Sequence, residues 1–116
     1  MVRRKYEEAK KYYLVGIQIK PSYVPARFNL AWVLLELKSY KDANQLLEAL
    51  ENDQGRLPQV IQAKVLNNRG CALWGLGKRE DAIFQFQEAL RILPGLREAK
   101  NNLNLAAGEK PVAAGI

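Results

Sequence analysis

The sequence predicts an all-α fold of about six helices, arranged as antiparallel helix-turn-helix repeats stacked on one another, and three observations carry this expectation. Alanines recur near the start of apolar helical segments, in Tyr6-Glu7-Glu8-Ala9, Tyr40-Lys41-Asp42-Ala43 and Arg79-Glu80-Asp81-Ala82, at intervals of 34 and 39 residues. A small residue stands twelve positions before two of them, at Ala31 and Gly70, and a proline twelve positions after two of them, at Pro21 and Pro94. Leucines and other apolar residues fall at helical spacing, whereas strand-like alternation is absent. Each unit reads as a helix, a short turn and a second helix, closed by a proline that cannot continue it.

The helices are expected at 2–19, 24–37, 40–53, 58–75, 79–92 and 96–107. The first carries Tyr6, Tyr12, Tyr13, Leu14, Val15, Ile17 and Ile19, more apolar surface than one neighbour covers. It is a second-type helix without its first-type partner, which leaves self-association as a homodimer open, unless the stems of Arg3, Arg4, Lys5, Lys10 and Lys11 shield the patch. The next has Leu30, Leu34 and Leu37 on one stripe, and Lys38-Ser39 turns the chain into the third. Pro58 precedes Gly70 by twelve residues while Pro25 precedes Ala31 by six, so the fourth helix is lengthened by a turn or more. Gly70 inside it costs about 1 kcal/mol relative to Ala and so marks a contact too close for a Cβ. Gly75-Leu76-Gly77-Lys78 suits a left-handed helix cap. Ile83, Phe86, Leu90 and Leu93 form the stripe of the fifth helix, and Lys100, Asn101, Asn102 and Asn104 make the sixth a solvent-facing cap. The chain divides into a half repeat at 1–21, a repeat at 24–55, a repeat at 58–94, a capping helix at 96–107 and a flexible tail at 108–116.

Composition bounds the function. With 116 residues, 48% apolar and 26% charged, the chain is one globular domain. It has no histidine, which excludes imidazole-based nucleophilic catalysis and imidazole zinc sites, and its single Cys71 forms no internal disulfide. Neither a cofactor nor a metal is expected, and cytoplasmic location is the expectation. The longest apolar stretch, Phe28 to Leu37, is ten residues and contains Asn29 and Glu36, too short to span a membrane. The net charge of +6 is concentrated at residues 1–20, where six Lys or Arg meet two Glu. A solvated helix face accounts for that better than a nucleic-acid surface. Gly75-Leu76-Gly77-Lys78-Arg79 lacks the spacing of a phosphate loop, and Glu7-Glu8 and Glu80-Asp81 are helix-start carboxylates rather than acid-base pairs. No catalytic residue is assigned.

The repeat resembles the tetratricopeptide family. A unit with Leu-small-x-x-Leu in its first helix, Tyr-x-x-Ala opening the second and a closing Pro is matched by Asn67 through Leu73, Gly77, Ala82, Phe86, Ala89 and Pro94, and by Leu30, Ala31, Leu34, Tyr40 and Ala43. The chain departs from the pattern at Arg69 (usually Leu), Leu50 (usually small) and Gly55 (in place of Pro), beside a five-residue insertion. The resemblance implies a right-handed solenoid whose first-type helices line a concave groove.

The residues placed on that groove are Asn29, Asn68 and Asn102 at one repeat position, with Phe28, Asn67 and Asn101 beside them. Trp32, Cys71 and Leu105 stand three residues on, Leu35 and Trp74 six residues on, with Glu36 and Lys64 at the margins. An asparagine column of this kind holds extended peptide backbone in superhelical members of the family. An amide donates and accepts at once, which suits any peptide backbone. Clamping a terminal carboxylate needs several Lys and Arg, and Lys64 alone is placed for it. The expected function is a protein-protein interaction scaffold that binds a peptide or partner segment. The alternatives are a basic module for nucleic acid or another polyanion and a purely structural or oligomerisation fragment.

Overall fold

The computed structural model describes residues 2–21, 23–52, 57–108 and 113–115, and among them it contains six α-helices and no strand. These are α1 (Val2–Ile19), α2 (Val24–Glu36), α3 (Tyr40–Glu51), α4 (Gln59–Gly75), α5 (Arg79–Ile92) and α6 (Arg97–Ala107). The expected boundaries agree to within one residue except at the end of α3, where Asn52 is the cap; Asp53 and Gly55 lie outside the described residues. At 17 residues, α4 exceeds the 13-residue α2 by about one turn, as the position of Pro58 requires.

The same local chemistry ends α2 and α4. After α2, Ser39 N–H donates to Leu34 C=O and Lys38 N–H to Leu35 C=O; after α4, Lys78 N–H donates to Leu73 C=O and Gly77 N–H to Trp74 C=O. This pairing of last carbonyls with amides beyond the helix needs a left-handed residue, which is Gly77 (φ 79°) in one copy and Lys38 (φ 60°) in the other. Glycine adopts that geometry freely, whereas lysine does so against its Cβ.

Each helix packs on its successor, and second-neighbour packing joins α2 to α4 and α4 to α6. The first-type helices therefore form one layer and α1, α3 and α5 the other, the architecture of a helical-repeat solenoid. The main core joins Leu30, Ala31, Leu34, Leu47, Leu50, Leu73 and Phe86; a second cluster, Ala63, Leu66, Ala89, Leu96 and Ala99, ties α4 and α5 to α6. A Cβ added at Gly70 would lie 2.7 Å from Phe86 Cδ1, so the absent side chain is what admits the ring. Gly75 is the last residue of α4, where the expected helix 58–75 ends, and the Tyr40 ring crosses it where a Cβ would stand 2.5 Å away.

Arg69 explains its own departure from the pattern. Its guanidinium reaches α3 of the preceding repeat, donating from Nε to Asn44 Oδ1 at 3.2 Å and pairing with Glu51 and Glu48. At the far end Arg79 donates to the C=O groups of Ala106 and Ala107, both at 3.0 Å, closing carbonyls that α6 leaves free. At the near end α1 contributes no buried residue; Tyr12, Leu14, Val15 and Ile19 are exposed, and Tyr6 meets Trp32 of α2 edge to face at 5.7 Å.

Candidate functional site

The inner faces of α4 and α6 carry three asparagines in one hydrogen-bonded set. Asn102 Nδ2 donates to Asn67 Oδ1 at 2.9 Å, and Asn67 Nδ2 donates to Asn68 Oδ1 at 3.3 Å. Asn67 thereby orients the amides on either side of it, each of which keeps a donor and an acceptor for a further group. All three are buried, and unpartnered amides there would carry a desolvation penalty of about 1–3 kcal/mol each.

The further group is peptide backbone. Asn102 Nδ2 donates to Ala113 C=O at 2.6 Å while Ala113 N–H donates to Asn102 Oδ1 at 2.9 Å. Two residues on, Asn68 Nδ2 donates to Gly115 C=O at 2.6 Å and Gly115 N–H to Asn68 Oδ1 at 2.8 Å. Residues i and i+2 presenting both backbone groups to one side is the geometry of an extended chain. Of residues 108–116, expected as a flexible tail, Gly108 caps α6 and Ala113–Gly115 are thus docked on the array. Four such bonds contribute about 1 kcal/mol each, and ordering three residues costs about 1–2 kcal/mol each, so docking lies close to balance.

Beside the docked segment lies a cavity of about 280 Å³ lined by Leu35, Glu36, Lys38, Tyr40, Cys71, Trp74, Gly75, Ala113 and Ala114. Ala114 is half-buried and packs on the main core, while Ala113 is exposed. Burial pushes the Cys71 thiol up to about 12; its own backbone hydrogen bond lowers it and the nearby Glu36 carboxylate raises it, which makes it a wall and no nucleophile near neutral pH. Among the described residues no group of His, Cys, Asp and Glu could hold a metal ion, and no helix is long and apolar enough to cross a membrane.

The structure brings Asn67, Asn68, Asn102, Leu35, Glu36, Cys71 and Trp74 together around this segment and its cavity. Asn102 is buried at 2% exposure, whereas Lys100, Asn101 and Asn104 face solvent, so the expected all-polar outer surface of α6 holds for the last three and not for Asn102. Asn29 stands apart from the other two asparagines of its column. It lines separate hollows with Val24, Pro25, Phe28, Pro58 and Ile61 on one side and Tyr12, Tyr13 and Ile19 on the other. The lengthened start of α4 brings Pro58 and Ile61 against this position. Phe28 is buried in the core, Trp32 is half-buried on Tyr6, and Lys64 and Leu105 are half-buried. Sequence reasoning missed the segment that binds, since Ala113-Ala114-Gly115 has no patterned side chains and is held by its backbone alone.

The sequence pattern of the Tetratricopeptide repeat family matches residues 3–64 and, in a second form, residues 63–96. A curated relative, the Hsp70-Hsp90 organising protein of Plasmodium falciparum (isolate 3D7), is 32% identical over 90 residues. The match covers 76% of this chain and 16% of that protein.

Proposed function

Because the chain belongs to the tetratricopeptide repeat family, we propose that it is a protein-interaction module whose groove between α4 and α6 holds an extended segment of a partner protein by its backbone. The observation that carries this reading is the pair of two-way clasps, Asn68 on one residue and Asn102 on the residue two positions away. In each clasp one amide satisfies both polar groups of a residue whatever its side chain, so affinity comes from the main chain and selectivity from the adjoining cavity. The buried, cross-bonded state of Asn67 supports it further, since fixed amides lose little freedom when a ligand arrives.

A second reading, a partner of the Hsp70 or Hsp90 kind, takes its support from the name of the Plasmodium relative, of whose length this chain spans 16%. The two readings differ in what they need from the ligand. The test is fluorescence anisotropy of the labelled peptide Pro-Val-Ala-Ala-Gly-Ile, the sequence of residues 111–116, titrated with the chain carrying Ala113→Pro, which removes the N–H that Asn102 accepts. Saturable binding that is lost on N-methylation of the peptide's third residue, and unchanged when its terminus is amidated, supports the backbone reading. Binding indifferent to N-methylation contradicts it, and loss on amidation favours a carboxylate clamp.

A further inference from the structure

The docked segment fills its site incompletely. Ala114 packs against the core with one methyl group, and the cavity of about 280 Å³ beside it stays open, walled by Leu35, Cys71, Trp74 and Tyr40. The charged groups on its margin, Glu36 and Lys38, are both exposed and of opposite sign, so they give the hollow no net preference for a charged occupant. One residue further on the space narrows: a Cβ on Gly115 would stand 3.2 Å from Glu98 Cγ, so a larger residue there shifts the exposed Glu98 side chain.

We infer that the groove is shaped for an extended segment of another protein carrying a large apolar side chain at the position of Ala114, and that Ala113–Gly115 is a weak internal occupant which such a segment displaces. The inference rests on the backbone-holding function proposed above and adds the side-chain class of the ligand and its competitor. Both occupants make the same four hydrogen bonds to Asn68 and Asn102, so these bonds do not decide between them. The internal segment has the advantage of its tether, which keeps it at high effective concentration. The incoming segment has the advantage of apolar area buried on the Trp74 and Tyr40 walls, where the internal one offers a methyl group. Because docking of the internal segment lies close to balance, a modest gain in buried area is sufficient to exchange them.

The experiment compares two labelled peptides, Pro-Val-Ala-Ala-Gly-Ile and Pro-Val-Ala-Leu-Gly-Ile, by anisotropy against three chains of 116 residues: the given sequence, Ala113→Pro and Ala114→Leu. Ala113 is exposed and touches the groove through its backbone, so its replacement leaves the helices intact, as circular dichroism will verify. The leucine peptide is expected to bind roughly tenfold more tightly than the alanine peptide, the gain that three buried methylenes give when partly shielded from water. Ala113→Pro is expected to strengthen binding of both peptides, and Ala114→Leu, which fills the cavity from within, to weaken both. Equal affinities for the two peptides would overturn the ligand class while leaving the backbone reading intact. Peptide binding that is the same in all three chains would overturn the displacement. If neither peptide binds even the Ala113→Pro chain, the backbone reading falls, and the inference with it.

Discussion

The repeats at 24–52 and 58–94 solve one packing problem with different residues. In the first, Ala31 and Leu47 stand sixteen positions apart and both are completely buried; in the second, Gly70 and Phe86 stand at the same interval, and the Phe86 ring occupies the space of the missing Cβ. One methyl group moved from the small partner's side is balanced by a larger side chain opposite. The template is therefore a constraint on the pair rather than on either residue, as dense packing requires. The same contrast runs through the turns, where Gly77 takes without strain the left-handed geometry that Lys38 takes against its side chain. It runs also through the interface, where buried Leu30 of the first repeat has its counterpart in Arg69, which pairs with Glu48 and Glu51.

Substitutions at Gly70, Arg69, the two turn residues and Cys71 break or sharpen that comparison. Gly70→Leu is expected to be the most damaging, costing about 3 kcal/mol by driving a side chain into the Phe86 ring, as read by chemical denaturation. Gly70→Ala costs about 1–3 kcal/mol alone, and combining it with Phe86→Leu recreates the first repeat's pair. The double variant should be more stable than the sum of the two single losses implies, and strict additivity would refute the pairwise constraint. Arg69→Ala should cost about 1–2 kcal/mol, because Glu51 is three-quarters buried beside it and loses its partner. Arg69 and Glu51 replaced together should cost less than the single change.

Lys38→Gly should stabilise by about 0.5–1 kcal/mol, relieving the left-handed residue, whereas Gly77→Ala should destabilise by a similar amount; thermal melts of both check the sign. The smallest effect at neutral pH concerns Cys71, whose thiol is pushed up from 9.0 to about 12 chiefly by burial. Its neutral form is the one the fold favours, so its contribution is fully present below pH 9 and is lost as pH rises from 9 towards 12. The stability difference between the natural chain and Cys71→Ala should be flat up to pH 9 and shrink above it. A difference that grows with pH would contradict the burial-driven shift.

The helices were legible because their signals are local. Pro25, Pro58, Pro94, Gly77 and the Ala31 and Gly70 positions each act within a turn or two of chain, so their spacing alone places the boundaries. Part of the asparagine set was legible for the same reason, since Asn68 and Asn102 share a repeat position and meet through Asn67. Asn29 shares that position too, but the extra turn of α4 puts Pro58 and Ile61 against it, an effect of an insertion thirty residues away in sequence. The docked segment was not legible, because recognition through N–H and C=O leaves no trace in side-chain pattern. Arg69 reads in the sequence as an exception to the repeat, and its acidic partners on α3 become visible only once the two helices are side by side.

The two-way asparagine clasp on alternate backbone residues is tested most directly by amide hydrogen exchange at Ala113, Ala114 and Gly115, resolved by NMR on the 116-residue chain. The expected result is exchange slowed about twofold at Ala113 and Gly115 relative to the same residues in the free peptide, the protection that docking close to balance gives, and not slowed at Ala114, with Asn68→Ala releasing Gly115 and Asn102→Ala releasing Ala113. Uniformly fast exchange across the three residues, or protection untouched by either substitution, would contradict it.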